Sequence, residues 1–371
     1  MPHQAAQCRV EVCQAELCRA ALCQAELRRA ARILAAHAPP CGSSLRVRNW
    51  LERHRWVSVA YRARRRRERL VRAVAQPPSW RLLSVTLVVV VAVAGIIIGI
   101  VAESGGVQWR TTWAANFGGP LGSGVSPRSW TYDTGSGGFG NGEIETMTNA
   151  EGNVYLDGHG DLNIAAVYQG SVWTSGRIVT TKTFGAPAGG EMMVTASIQQ
   201  PGPANGTGYW PAFWLLGPGS WPQDGEIDVM EDVNGLSENS GTLHCGNLVQ
   251  HDADGSLGPC HEYTGLSSGL RPCPGCQQGY HTYSVIVDRR NAADQQIRWY
   301  LDGNEYFSVS ESRVGTATWV AAVDHGFNII LDLAIGGTYP NGECHCTAPS
   351  AVTSPGAAMS VRSLTVSYAN G

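Results

Sequence analysis

The chain has 371 residues, of which 43% are hydrophobic and 15% are charged, and it contains 45 glycines. This hydrophobic content excludes a fully disordered chain, and glycines without a three-residue period exclude a collagen helix. The net charge of −3 conceals two unlike parts. Residues 1–81 carry 17 arginines and 5 acidic residues, whereas the remainder carries 10 basic and 25 acidic residues. This asymmetry argues against a single soluble cytosolic domain.

The N-terminal part contains a short repeat. Residues 8–29 repeat a five-residue unit that begins with cysteine in four copies. In an α-helix a step of five residues turns by about 140°, so these cysteines would be scattered around the axis. Four copies are also too few to bury the core of a solenoid. We assign no function to this tail, and a start codon further downstream is an alternative reading.

Residues 82–102 form an uncharged run of 21 residues. As a helix the run would span roughly 31 Å, the thickness of a bilayer core. The arginine cluster just before it places the N-terminus in the cytoplasm and everything after Glu103 outside. We therefore predict a helical or disordered cytoplasmic tail at 1–81, one transmembrane helix at 82–102 that acts as an uncleaved signal anchor, and an extracellular domain at 103–371. A cleaved signal peptide, which would release the domain as a secreted protein, is the alternative.

Six of the 11 cysteines follow the predicted anchor, an even number as expected in an oxidising compartment. Six cysteines allow 15 connectivities. The two cysteines of the C-P-G-C segment could instead form half of a zinc site, although the domain has no second C-x-x-C. Proximity along the chain favours three disulfides, Cys245–Cys260, Cys273–Cys276 and Cys344–Cys346.

From about Gly106 onward the chain consists of short β-rich runs broken by Gly, Asn, Asp and Pro, without helical periodicity. A long region of strands without alternating helices favours a large β-sandwich or jelly roll over a parallel α/β fold. The runs that we interpret as strands are residues 153–156, 162–167, 192–198, 283–288, 297–301, 327–335 and 359–368.

Three acidic residues interrupt one such strand, in the sequence WPQDGEIDVMEDVNG at residues 221–235. Strand alternation places Glu226 and Asp228 on one face. Strict continuation would point Glu231 into the apolar side, where an unpaired charge costs several kcal/mol. We therefore predict a β-bulge at Val229 and Met230, which returns Glu231 to the acidic face and turns Met230 into the core.

Such a cluster has the groups that two-step glycoside cleavage requires. Three neighbouring carboxylates repel one another, so the pKa of at least one is expected to rise. A retaining glycosidase needs one ionised carboxylate to attack the sugar and one protonated carboxyl group, about 5–5.5 Å away. A calcium loop and a solvated acidic strand are alternatives. The spacing does not reveal which glutamate attacks.

The acidic run resembles the E-[IL]-D-[IV]-x-E signature of glycoside hydrolase family 16, in the bulged form of laminarinase-type endo-β-1,3-glucanases. Segment 208–214, GYWPAFW, is equally typical. The resemblance implies a jelly-roll β-sandwich with a concave cleft that cleaves internal β-1,3 linkages of a laminarin-like β-glucan with retention. Further similar segments follow the family's order between about Asn116 and Tyr368, at residues 140–143, 173–177, 241–244, 280–283, 297–303 and 331–337.

The resemblance also implies roles for individual residues. Glu226 would be the nucleophile, Glu231 the general acid/base, and Asp228 the neighbour that holds and tunes Glu226. Trp210 and Trp214 share a strand face and would stack on sugar rings, with core packing as the alternative.

Three further residues match positions that bind substrate in similar enzymes. Arg177 and Asn141 would bond sugar hydroxyls, and His244 would lie near the acid/base. A surface arginine, a turn asparagine and a structural histidine are the alternatives for these three residues.

Two positions depart from the resemblance. Arg362 stands where many relatives carry an aspartate that helps to hold a structural calcium, which puts a metal there in doubt, so we assign no cofactor. Asn239 replaces a second histidine and affects substrate preference. We expect a monomer that binds β-glucan polysaccharide, attaches to the membrane through residues 82–102 and binds no nucleic acid. A related enzyme for mixed-linkage glucan or agarose-type galactan, a non-catalytic glucan-binding module and a cell-wall structural protein are the alternatives.

Overall fold

The computed structural model describes residues 107–249, 251 and 255–370. The predicted cytoplasmic tail at 1–81 and the predicted anchor at 82–102 lie outside the described residues. Every helix in the described ranges is too short or too polar to span a lipid bilayer.

The described residues are mainly strands. In chain order these are β1 (Arg110–Ala114), β2 (Trp130–Tyr132), β3 (Thr146–Met147), β4 (Val154–Leu156), β5 (Leu162–Ala165), β6 (Val167–Gln169), β7 (Val172–Ser175), β8 (Arg177–Thr180), β9 (Gly190–Gln199), β10 (Tyr209–Leu216), β11 (Glu226–Glu231), β12 (Glu238–His244), β13 (Leu266–Ser267), β14 (Arg271–Pro272), β15 (His281–Asp288), β16 (Gln296–Leu301), β17 (Asn304–Ser310), β18 (Asn328–Ile335) and β19 (Ala358–Asn370). The helices are α1 (Glu311–Val314), α2 (Thr316–Val323) and α3 (Thr338–Cys344), and a 3-10 turn covers Gly138–Gly140.

Two eight-stranded antiparallel sheets form the framework. Sheet 1 has the order β17-β16-β15-β9-β19-β5-β4, with β1 also paired to β19. Sheet 2 has the order β13-β12-β11-β10-β18-β8-β2, with β14 also paired to β12. The pairs β9–β19 at the centre of sheet 1 and β10–β18 at the centre of sheet 2 join strands that are distant in sequence, as in a jelly roll, and a small third sheet has the order β3-β7-β6.

The core lies between the two sheets. In β9 of sheet 1 every second residue from Met192 to Ile198 is fully buried, which is the alternation of a strand with one face on the core. Phe213 and Leu215 of β10 and Leu331 of β18 provide the opposing surface from sheet 2. Each of these side chains contributes about 1.5–3 kcal/mol on burial. The predicted all-β jelly-roll sandwich is confirmed.

Six of the seven predicted strands are present with small shifts of their ends, whereas the run 162–167 is divided at Ala166 between β5 of sheet 1 and β6 of the third sheet. The three short helices were not predicted, because four to eight residues give too few turns for a periodic signal. The predicted disulfides Cys245–Cys260, Cys273–Cys276 and Cys344–Cys346 are all formed.

Candidate active site

The three predicted carboxylates lie side by side on one face of sheet 2. Directly opposed residues of an antiparallel pair share a face. Phe213 of β10 is opposed to Met230, but the next residue, Trp214, is already opposed to Asp228, so Val229 has no opposite residue of its own. This irregularity is the predicted bulge, and fully buried Met230 points into the core. The acidic residues are opposed by alternate residues of β10, in the pairs Glu231 with Ala212, Asp228 with Trp214 and Glu226 with Leu216.

The bulge is held from the core side. The backbone carbonyl of Asp228 accepts a hydrogen bond of 2.7 Å from Nε1 of Trp299. The carbonyl of Val229 accepts one of 3.4 Å from the hydroxyl of Tyr306. Both donors come from sheet 1. Packing between the two sheets therefore provides hydrogen-bond partners for backbone carbonyl groups at the bulge, where the regular pairing of β10 with β11 is interrupted.

Glu231 lies in a mostly buried pocket beside two aromatic residues. Its side chain accepts a hydrogen bond of 2.8 Å from Nε1 of Trp210, and the residue is 8% exposed. The edge of the Trp210 ring meets Tyr339, with the ring centroids 5.6 Å apart. Burial and the charge of Asp228 raise the pKa of Glu231 well above its usual value, against the effect of the Trp210 bond.

Glu226 shares its surroundings with a histidine. Nε2 of His244 lies 3.4 Å from Oδ2 of Asp228 and 3.9 Å from Oε1 of Glu226. Burial and the charge of Asp228 raise the pKa of Glu226 to about 8, and the positive charges of His244 and Arg177 offset only part of that rise. Glu226 therefore has nearby cations that favour its ionised form.

The position of His244 differs from the prediction. We expected it near Glu231, but the register of β12 places it opposite Glu226, whereas Ser240 is opposite Glu231. Its other ring nitrogen, Nδ1, lies 2.7 Å from Oε2 of Glu262. Burial alone would lower the pKa of His244, but its hydrogen bonds to Asp228 and Glu262 raise it well above the usual value.

Arg177 and Trp214 lie on the same face of sheet 2 as the carboxylates. The guanidinium group of Arg177 lies 4.8 Å from the centroid of the Trp214 ring, and its Nε is 3.0 Å from Asp133. Nε1 of Trp214 donates a hydrogen bond of 2.7 Å to Asp332, which is opposite Arg177 in the sheet. Burial raises the pKa of Asp332 to about 6. Since Arg177 covers one side of the Trp214 ring, only the other side is left for a sugar.

Asn141 lies on the Trp210 side of the cluster. It is exposed, and its side-chain amide donates a hydrogen bond of 3.4 Å to Glu143. A methyl group on Gly337 would lie 3.2 Å from both the Trp210 ring and the backbone oxygen of Asn141. Both residues therefore flank Gly337, and the role of Asn141 in binding sugar hydroxyls stays a prediction.

The sequence analysis missed two exposed rings at the opposite end. Trp221 and Tyr263 are 37% and 68% exposed, and their stacked rings have centroids 5.9 Å apart at 20°. The Trp221 ring lies 5.6 Å from the ring of His244. The sequence signal that could have identified Trp221 is its place in a Trp-Pro pair just before the acidic run. Tyr263, and Glu262 beside it, lie in a segment without a periodic pattern, so the sequence offers no comparable signal for them.

Two of the metal sites considered from the sequence, zinc at the C-P-G-C segment and calcium near Arg362, do not fit the structure. Ligand atoms of Cys273, Cys276 and His281 lie within 4.8 Å of one another, but the two sulfur atoms are bonded to each other and offer no thiolates to zinc. Arg362 pairs with Asp161 at 3.3 Å and lies over the Tyr280 ring, so a guanidinium group already supplies the positive charge there. That site does not suit calcium.

Comparisons with known proteins agree with this geometry. Residues 148–263 match the family model described as "XgeA-like, catalytic GH16 domain". The chain is similar to glucan endo-1,3-beta-glucosidase A1 of Niallia circulans, with 29% identity over 62% of this chain and 34% of that protein. It is also similar to the beta-glucanase of Rhodothermus marinus, with 28% identity over 62% of this chain and 77% of that protein. The chain thus spans about a third of the first relative and about three quarters of the second.

The similarity extends to solved structures. The endo-1,3-beta-glucanase of Streptomyces sioyaensis is 39% identical, superposes with a TM-score of 0.65, and is matched over 97% of its own chain and 71% of this one. The chain therefore belongs to glycoside hydrolase family 16.

Proposed function

We propose that the protein is a retaining endo-β-1,3-glucanase that cleaves laminarin-like polysaccharide by double displacement. The observation that carries this proposal is the bulge in β11, which places Glu226, Asp228 and Glu231 on one face of sheet 2. The names of the relatives and of the similar structure support β-1,3-glucan as the substrate.

The surroundings of the two glutamates support different roles. Glu226 lies beside the positive charge of His244, which favours the carboxylate that must attack. The donor at Glu231 is the neutral indole of Trp210, so burial dominates and favours the protonated form that a general acid needs. Asp228 lies between them in the row, with its Oδ2 3.4 Å from Nε2 of His244.

The reaction then proceeds in two steps. Glu226 forms a bond to the anomeric carbon while Glu231 gives its proton to the departing glycosidic oxygen. Glu231, now ionised, takes a proton from water as the water oxygen attacks the same carbon and releases Glu226. Two inversions leave the configuration at that carbon unchanged.

Aromatic rings at both ends of the carboxylate row support endo action. Trp210 lies beside Glu231, and Trp221 lies beside His244 next to Glu226. Apolar ring faces suit the stacking of sugar rings. A polymer that crosses the row would therefore find a ring on each side of the bond to be cleaved.

A panel of linkage-defined polysaccharides tests the substrate. We expect the full chain to release reducing ends and a range of oligosaccharides from laminarin, and Glu226→Gln to release none. Activity on lichenan or agarose without activity on laminarin would identify another β-glycan as substrate. If no polysaccharide were cleaved but calorimetry showed laminarin binding, the protein would be a glucan-binding module.

Azide rescue tests the roles of the two glutamates. Glu231→Ala should lower activity about 10²–10⁴-fold, as expected for loss of a general acid. Azide should restore activity to Glu226→Ala with an α-glycosyl azide product and to Glu231→Ala with a β-glycosyl azide product. The reverse pattern would exchange the two roles.

We also propose that the domain acts outside the cell as a monomer, held by residues 82–102 or released if that segment is cleaved. The uncharged run, the arginines before it and the three disulfides support this location. Membrane fractionation with protease treatment of intact cells should find the domain accessible, and light scattering should give the mass of one chain. Protection from protease would contradict the location.

A further inference from the structure

We propose that Glu262 is a positioning residue that holds His244 as an imidazolium cation beside Glu226, where the cation stabilises the ionised form of Glu226 that attacks. The inference rests on the proposed function. Glu262 has no hydrogen bond to the carboxylate row, and its proposed positioning role is exerted through His244.

The contacts of Glu262 fix the protonation of one ring nitrogen. Its side chain is fully buried, and Oε1 accepts a hydrogen bond of 2.9 Å from the backbone N–H of Cys245. Its other oxygen, Oε2, lies 2.7 Å from Nδ1 of His244. In the proposed ion pair the carboxylate accepts and Nδ1 of His244 donates the proton.

The second ring nitrogen also faces anions. Nε2 lies 3.4 Å from Asp228 and 3.9 Å from Glu226, so carboxylates are present on both sides of the ring. A methyl group on Gly265 would lie 3.0 Å from the ring, and Trp221 covers another side. The imidazole therefore has little room to turn away from either carboxylate.

The remaining charges around the cluster are consistent with a cation at this point. Asp228 adds negative charge beside Glu226, and Arg177 is a second positive group that acts on it. His244 lowers the pKa of Glu226 more than Glu262 raises it. The positive end of this ion pair therefore dominates its effect on Glu226.

A disulfide joins the two segments that carry this pair. Cys245 directly follows His244, and Cys260 precedes Glu262 by two residues. The backbone N–H of Glu262 is bonded to the carbonyl of Leu257 at 2.8 Å. The carboxylate is thus held against the strand that carries the histidine by covalent and hydrogen bonds.

Nuclear magnetic resonance of the histidine side chains tests the inference without any substrate. His244→Gln identifies the His244 signals. In the full chain the His244 ring should stay charged well above the pH at which an ordinary histidine loses its proton, and in Glu262→Gln it should lose that proton at least about one pH unit lower. An unchanged titration would overturn the proposal.

A second carboxylate–histidine pair provides the control. Asp302 lies 2.7 Å from Nδ1 of His281 on sheet 1, so Asp302→Asn removes a comparable partner at another histidine. We expect this substitution to leave the titration of His244 unchanged. A shift as large as that of Glu262→Gln would mean that the effect is general and would contradict the assignment.

The pH profile of kcat/KM on laminarin distinguishes positioning from a structural role. Loss of the cation raises the pKa of Glu226, so the acid limb should move to higher pH in both Glu262→Gln and His244→Gln. The double variant should match His244→Gln, because Glu262 acts through the histidine. If the acid limb of the kcat/KM profile did not move in His244→Gln, the proposal would be overturned, even if Glu262→Gln did not fold. Additive shifts of the acid limb in the double variant would also overturn it. An inactive parent would contradict the proposed function, and the titration of His244 would still decide the inference.

Discussion

Nε1 of Trp210 donates a hydrogen bond of 2.8 Å to Oε1 of Glu231. An N–H donor favours the ionised carboxylate, so this bond lowers the pKa of Glu231 against the larger effect of burial. In Trp210→Phe an aromatic ring remains but the donor is lost. Because Glu231 must be protonated in the first step, we expect the basic limb of the kcat/KM profile to move to higher pH, by about one unit or less.

A matched variant checks that this shift is specific. Trp214 donates a similar bond of 2.7 Å to Asp332 instead of Glu231. Trp214→Phe should therefore leave the basic limb where it is, whatever its effect on substrate binding. If Trp210→Phe and Trp214→Phe shifted the basic limb of the kcat/KM profile equally, the position of that limb would not depend on the hydrogen bond from Trp210 to Glu231.

Trp299 should stabilise the bulge that aligns the carboxylates. Its indole N–H is bonded to the carbonyl of Asp228, and Trp299→Phe would leave that buried carbonyl without this donor. We expect the free energy of unfolding to fall by about 1–3 kcal/mol for the carbonyl, in addition to the cost of the lost ring volume. Chemical denaturation of the purified variant measures the total.

A substitution at Trp130 separates the cost of the unpaired carbonyl from the cost of the lost ring volume. It is as deeply buried as Trp299, but its indole N–H has no hydrogen-bond partner among the described residues. Trp130→Phe should lose ring volume alone and cost less than Trp299→Phe. If Trp130→Phe and Trp299→Phe lowered the free energy of unfolding equally, and kcat were unchanged in Trp299→Phe, the hydrogen bond from Trp299 to the Asp228 carbonyl would not support the bulge.

Tyr263 should contribute to substrate binding without affecting the chemical step. Its ring is largely exposed and stacks on Trp221 at the His244 end of the carboxylate row. We expect Tyr263→Ala to raise KM for long laminarin oligosaccharides and to change kcat less than about twofold, because the lost contact is equal in the ground and transition states. Tyr300→Ala, on sheet 1, should change neither constant. A loss confined to kcat would contradict this role.

The carboxylate cluster was predictable because it depends on local strand geometry. Alternation and the cost of a buried charge were sufficient to place the bulge at Val229 and Met230. The position of His244 was not predictable in the same way, since it depends on the register of β12 against β11. A shift of that register changes which acidic residue the imidazole meets, and a single sequence does not state the register.

Contacts that join distant segments were also beyond the sequence. Glu262 reaches His244 from an irregular segment, and Asp332 reaches Trp214 across a strand pair that is far apart in sequence. In β18 both faces are buried, which hides Asp332 in a run that otherwise reads as core. The strands themselves were found because their runs alternate or are bounded by turn residues.

Glu145 should make the stability of the protein fall as the pH rises. The residue is 1% exposed, and one oxygen accepts a hydrogen bond of 2.8 Å from the backbone of Ile335. Burial raises its pKa to about 7, whereas an unfolded chain has the ordinary value of about 4.3. Between these values the folded state holds a proton that the unfolded state has lost, so the contribution to stability is present at low pH and declines toward pH 7.

Glu145→Gln removes this titration but keeps an oxygen that can accept from Ile335. We expect its free energy of unfolding, relative to the parent, to increase by about 1–3 kcal/mol between pH 4 and pH 8, because only the parent must bury an ionised group at the higher pH. Denaturant titrations of both proteins across this range measure the difference. Glu151→Gln, at an exposed glutamate, is the control and should track the parent. Parallel curves for Glu145→Gln and the parent would show that Glu145 is not protonated in the folded state above pH 4.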